Sequence, residues 1–223
     1  MSPAPIRFYF DYISHNAYLA WTQLELLSAR FGREFTPEPV LFAGFLNHYG
    51  QLGPAEVPPK ARWMILDVVR KARRLGVPIA PPASHPFPPL LALRASFAPL
   101  EPEARRRLIG ALFRAAWGES VDVGNPREVA RVLDAAGLDG EAVIAFAATD
   151  PAKRALREST DAAIASGVFG VPSFLADGEL FWGFDDLAHL ELFLGGRDPL
   201  APGDAERFTS YAPTARRRRP GEV

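Results

Sequence analysis

The sequence predicts an α/β fold: a mixed four-stranded sheet with helices on both faces and a large all-helical insertion. Three observations predict it. A strand–helix–strand pattern opens the chain, a helix and a hairpin close it, and residues 44–149 between them carry helical periodicity with few strand signals.

Taken in order, Arg7 to Tyr12 reads as a short buried strand with Pro5 before it. Ser14 to Arg30 follows with apolar residues at helical spacing, Ser14 as N-cap and Gly32 as terminator. A second strand covers Phe35 to Phe42. Strand, helix and strand this close form a βαβ unit, whose strands are parallel and whose crossover is right-handed. Lys60 to Leu75 is the first helix of the insertion and stops at Gly76-Val77-Pro78. A proline-rich loop from Pro81 to Pro89 comes next, then four helices over Leu90–Phe97, Glu101–Trp117, Pro126–Ala136 and Gly140–Ala148. Asn125-Pro126 and Asp150-Pro151 place an N-cap before a proline in the first helical position.

Ala152 to Ser166 is a further helix, stopped by Gly167. Val171–Ala176 and Glu179–Trp182 pair across Asp177-Gly178, a strong hairpin signal. Asp185 or Asp186 then caps a last helix running to Leu194. Residues 1–43 and 150–195 therefore complete one sheet in the thioredoxin arrangement, with 44–149 inserted as a helical domain. Residues 196–223 form a Pro- and Arg-rich tail, including Arg216 to Arg219, read as solvated and partly disordered.

Composition narrows the function. The 223 residues carry 25 basic and 26 acidic side chains, a net charge of −1, which argues against a nucleic-acid binder built on bulk charge. Cysteine is absent, so disulfides, cysteine metal sites and thiol-disulfide exchange by the chain itself are excluded. The four histidines, His15, His48, His85 and His189, are scattered without ligand spacing, so no metal is expected. No signal peptide or spanning segment is read, which leads to the expectation of a cytoplasmic protein with no membrane partner.

Phe8-Tyr9-Phe10-Asp11-Tyr12-Ile13-Ser14 with Tyr18-Leu19-Ala20 resembles the opening of the 2-hydroxychromene-2-carboxylate isomerases and kappa-class glutathione transferases. Gly167 to Phe174 and Phe181 to Asp185 resemble their closing motifs, and Pro39-Val40-Leu41 and Pro59 to Met64 match between them. The resemblance spans about residues 6 to 195 and places the chain beside the DsbA-like oxidoreductases, with serine where those have their first cysteine. It implies glutathione as cofactor, a homodimer, and a small aromatic-derived carboxylate as substrate.

Read on its own, Ser14 is a helix N-cap. Beside Val171-Pro172 in a cysteine-free chain, its hydroxyl can donate to a thiolate that arrives with a cofactor, at a helix end that favours anions. The resemblance implies a cis Pro172, leaving the Val171 backbone free to pair with an extended tripeptide. It also implies that Trp182, Gly183, Phe184 and Asp185 surround the γ-glutamyl end, with Asp185 taking its ammonium and the helix terminus its carboxylate. Lys60 is either a partner for the glycyl carboxylate or an ordinary solvated lysine. Gln51 stands where the family has an asparagine that reaches glutathione.

Asn47, His48 and Trp63 are the candidate substrate contacts. Asn47 replaces a frequent family lysine, Ser14-His15-Asn16-Ala17 replaces Ser-Pro-Tyr-Ser, Phe184 replaces a polar residue, and Asp186 a frequent arginine. His48 either takes over the lost positive charge or is an ordinary surface or core histidine. Tyr12, Phe45, Trp63 and Trp182 suit a flat apolar substrate, or pack as simple core for at least half of them. The implied activity is glutathione-dependent cis/trans isomerisation of 2-hydroxychromene-2-carboxylate or a related aromatic-degradation intermediate. The alternatives are a kappa-type glutathione transferase and a non-catalytic thioredoxin-like binding module.

Overall fold

The computed structural model describes residues 4–212 and 214–215, so the Arg216 to Arg219 run lies outside the described residues. Strands β1 (Ile6–Phe10) and β2 (Phe35–Pro39) pair in parallel, with Ile6 opposite Phe35. On its other side β1 runs antiparallel to β3 (Ser173–Ala176), Tyr9 opposite Ser173, and β3 pairs antiparallel with β4 (Glu179–Trp182). The sheet order is β2-β1-β3-β4, the mixed four-stranded thioredoxin-like sheet expected. Asp177 and Gly178 both take positive φ, 50° and 95°, as the predicted two-residue turn requires. Arg33 grips the Asp177 carboxylate with two bonds of 2.9 Å, fastening this turn beside the start of β2.

The segment expected as one helix from Ser14 to Arg30 forms two, α1 (His15–Trp21) and α2 (Leu24–Phe31). At the break the Thr22 hydroxyl donates to the Leu19 carbonyl at 2.7 Å and accepts from the Gln23 amide at 2.8 Å. Side chains that bond to local backbone compete with the helical ladder. Strand β2 ends at Pro39 and not at Phe42: the Val40 N–H still donates to the Phe10 carbonyl at 2.9 Å, but side chains take the two amides after it. Thr160 Oγ1 accepts from the Leu41 N–H at 3.0 Å and Asp11 Oδ2 from the Phe42 N–H at 2.9 Å, so α3 (Phe42–Tyr49) begins at once.

Helices α4 (Pro58–Leu75), α5 (Leu90–Ala95), α6 (Pro102–Gly118), α7 (Pro126–Ala135) and α8 (Gly140–Ala147) follow in the stretch expected to be helical. Asn125 caps α7 as expected, accepting from Arg127 N–H at 3.0 Å. The cap of α9 (Asp150–Ala165) is Thr149, one residue earlier than expected, which moves Asp150 into the first turn. Helix α10 (Leu187–Leu194) follows the hairpin. Within the expected tail, Asp204–Thr209 forms a short helix, α11, with no buried residue.

Alternation along β1 divides the core. Ile6, Phe8 and Phe10 join the larger cluster, while Tyr9 joins a smaller one with Val40, Phe45, Ala163 and Val168. Phe113 of α6 reaches the larger cluster, its ring 5.3 Å from Phe10 and 4.8 Å from Tyr12. Among the described residues no helix is long and apolar enough to cross a membrane. Phe113→Ala is expected to lower unfolding free energy by about 3–5 kcal/mol, the range for truncating a buried aromatic, as read from urea titration. A loss below about 1 kcal/mol would show that the ring is not the joint between helix and sheet.

Candidate functional site

The site is built where β1 ends and β3 begins. Continuing the Tyr9–Ser173 register by two residues brings Val171 opposite Asp11. Asp11 is fully buried and uses both oxygens on backbone: Oδ1 accepts from Ile13 N–H at 3.1 Å, Oδ2 from Phe42 N–H at 2.9 Å. Its carbonyl also accepts from the Ser14 N–H at 3.0 Å. Burial raises the Asp11 carboxyl to about 7, against the opposing pull of the two amides.

Ser14 takes extended backbone and caps α1, its Oγ accepting from Ala17 N–H at 3.2 Å. That bond uses an oxygen lone pair and leaves the hydroxyl proton available. The His15 and Asn16 N–H groups have no acceptor among the described residues, the usual condition of a helix start. Two further polar atoms there, His15 Nδ1 and Asn16 Oδ1, are buried without a partner. Burial pushes the His15 imidazole down to about 4, with the nearby His85 and Lys71 charges adding to the effect. The His15 ring packs edge-on against Trp117 at 5.5 Å, and the Trp117 indole N–H donates to the Tyr12 carbonyl at 2.7 Å.

The Val171-Pro172 peptide is cis, and the Val171 N–H and C=O make no hydrogen bond among the described residues. The expected strand start at Val171 moves to Ser173, because the two preceding residues leave the ladder. Pro172 O accepts from Gly183 N–H at 2.8 Å, which brings Gly183, Phe184 and Asp185 beside the cis peptide. Gly170 is required here, since a Cβ on it would stand 2.5 Å from the Trp182 indole nitrogen. Neither aspartate caps α10 through its side chain, contrary to expectation. Asp186 sits at the cap position but accepts from Trp182 N–H at 2.9 Å and pairs with His189 at 2.6 Å. Asp185 turns the other way and pairs with Lys71 of α4 at 2.6 Å.

A family model described as "DSBA-like thioredoxin domain" matches residues 5–195. The chain belongs to the DSBA-like thioredoxin family. Among its relatives, the 2-hydroxychromene-2-carboxylate isomerase of Sphingobium xenophagum is 31% identical over 191 residues, covering 85% of this chain and 97% of its own length. Glutathione S-transferase kappa 1 of Rattus norvegicus is 24% identical over 211 residues, 87% of this chain and 93% of its own. A solved 2-hydroxychromene-2-carboxylate isomerase superposes with a TM-score of 0.77 at 27% identity, covering 86% of this chain and 94% of that one.

In this DSBA-like chain Ser14 follows the end of β1, Val171 and Pro172 precede β3, and Trp182 ends β4, with Gly183, Phe184 and Asp185 after it tied to Pro172 through the Gly183 N–H. The remaining candidates are spread over α3 and α4. Asn47, His48 and Gln51 are exposed at the end of α3 and just after it. Lys60 is exposed in the first turn of α4, eleven residues and about 16 Å of helix axis from Lys71. Trp63 and Trp182 are 58% and 53% exposed, whereas Tyr12 and Phe45 are fully buried and belong to the core. Sequence reasoning missed three groups: buried Asp11, buried His15, and Lys71. A carboxylate inside an aromatic strand was a signal for the first, but no spacing pointed to the third.

The two buried titratable groups pull stability in opposite directions with pH. Asp11 has a folded pKa raised from 3.8 to about 7, so it favours the native state below 3.8 and that contribution is lost as pH rises through 7. His15 has a folded pKa lowered from 6.5 to about 4, so its contribution is present above 6.5 and lost as pH falls through 4. Relative to Asp11→Asn, the native protein is expected to lose stability steadily from pH 4 to pH 7 in chemical denaturation. Parallel pH curves for the two proteins would contradict a raised Asp11.

Proposed function

We propose that the chain is a glutathione-dependent isomerase of 2-hydroxychromene-2-carboxylate or a related aromatic-degradation intermediate. The observation that carries this reading is a site of the thioredoxin kind, in a chain without cysteine, that presents a capping serine, two unpartnered helix-start amides and a free cis-proline backbone. A sulfur must come from outside for such a site to do thiol chemistry. The 31% identity to an isomerase, against 24% to a kappa transferase, favours isomerisation over transfer.

The residues present fit a tripeptide thiol. When bound, glutathione supplies a thiolate able to add reversibly across a conjugated double bond, which frees that bond to rotate. Ser14 donates its hydroxyl proton toward the sulfur, and the His15 and Asn16 amides add positive potential at the same point. Val171 offers its N–H and C=O to the cysteinyl backbone as one residue of an added strand. Asp185 receives the γ-glutamyl ammonium, while Lys60 and Gln51 receive the glycyl end. The reach from Lys71 to Lys60, about 16 Å, accommodates an extended peptide of about 10 Å with a lysine side chain closing the gap. Asn47, His48 and the open face of Trp63 border the space for an aromatic acid.

Ser14→Ala is expected to remove the thiolate absorbance of bound glutathione and to cut isomerase turnover by about 10²–10³-fold, as for loss of one preorganised donor. Unchanged absorbance and turnover would remove Ser14 from the chemistry. Lys60→Ala is expected to weaken glutathione binding about tenfold or more in calorimetry, the worth of one hydrogen bond to a charged group. Turnover of electrophiles with no activity on conjugated ring-cleavage acids would favour the transferase, and no glutathione binding at all the non-catalytic module.

A further inference from the structure

Lys71 is the sole lysine or arginine of the buried class among the described residues. A buried ammonium is costly unless each of its charges and donors is answered. Lys71 carries three N–H donors. One faces Asp67 Oδ2 at 2.8 Å, one turn back on α4, and another faces Asp185 Oδ2 at 2.6 Å. No third oxygen accepts from it among the described residues, and the Phe184 ring lies 5.5 Å from Nζ.

The two carboxylates are not equivalent. The Asp67 side chain is 18% exposed and the Asp185 side chain 74% exposed, so Asp67 answers the charge from inside and Asp185 stands open. Lys71 and Asp185 thus form a fixed dipole, negative end outward and positive end just behind it. Asp185 lies two residues after Gly183, which is bonded to Pro172, and the Lys71 charge is felt by His15 at the start of α1. An α-amino acid group carries its ammonium and carboxylate within about 3 Å, joined through one carbon. Laid antiparallel on the protein's pair, it answers all four charges and supplies the missing third acceptor.

We propose that Lys71 is a specificity-determining residue, its remaining N–H, the one without an acceptor, receiving the α-carboxylate of the γ-glutamyl group while Asp185, held beside it, receives the α-ammonium. This rests on the glutathione reading above and assigns the carboxylate to a side chain where that reading left it to the start of α10.

Calorimetry with three ligands tests it: glutathione, the analogue with γ-aminobutyrate in place of γ-glutamate (no α-carboxylate), and the glutaryl analogue (no α-amine). The native protein is expected to bind the γ-aminobutyryl analogue about tenfold or more weaker than glutathione. Lys71→Met is expected to shrink that preference below about threefold. Asp185→Asn, which leaves Asp67 to answer the buried ammonium, is expected to lose the preference over the glutaryl analogue and keep the preference over the γ-aminobutyryl one. A native protein that binds glutathione and the γ-aminobutyryl analogue equally well overturns the role of Lys71 alone. Full preference retained in Lys71→Met does the same, and Asp185→Asn losing both preferences or neither overturns the pairing. A native protein that binds no glutathione overturns this role together with the function it rests on.

Discussion

The carboxylate of Asp11 holds together the end of β1, the turn before α1 and the start of α3, around which the candidate site is arranged. It is sealed at the end of β1, and its oxygens accept from the turn before α1 and from the first amide of α3. Backbone donors buried without acceptors are costly, so this side chain settles where two elements begin. Thr160 of α9 takes the neighbouring Leu41 amide in the same way, and the start of α3 is thereby clamped from two sides. The position of Ser14 follows from the first contact, and those of Asn47 and His48 from the second.

Around that point the aromatic strand does the packing. Phe8 and Phe10 stack at 5.6 Å on one face of the sheet, and α6 meets them through Phe113. The buried face of α6 therefore shares a core with the first strand. Trp117 of the same helix bonds to the Tyr12 carbonyl and shields His15, so α6 reaches as far as the start of α1. Across the sheet, the Gly183–Pro172 bond folds the hairpin end back against the cis peptide.

Much of the fold was legible because its signals are local. The aromatic run of β1, the Asp177-Gly178 turn, the caps Ser14 and Asn125 and the stops Gly32, Gly76 and Gly167 each act within a few residues. Boundaries moved where a side chain outbid the ladder: Thr22 splits a helix, Asp11 and Thr160 shorten β2, and Thr149 displaces Asp150 as a cap. At the candidate site, the Ser14 cap was legible from its place before a helix and the cis Val171-Pro172 peptide through motif resemblance. The Lys71–Asp185 pair was not, because its members stand 114 residues apart and meet only when α4 packs against the end of the hairpin. His15 was passed over because nothing in its neighbours in sequence tells that Trp117 covers it.

Helix α4 runs unbroken from Pro58 to Leu75, with Lys60 near one end and Lys71 near the other. Loops can breathe and side chains can swing, but the repeat of a hydrogen-bonded helix does not stretch. In the proposed placement of glutathione the tripeptide is gauged against an unyielding rod, so selection by length would come from the scaffold before a single pocket contact is counted.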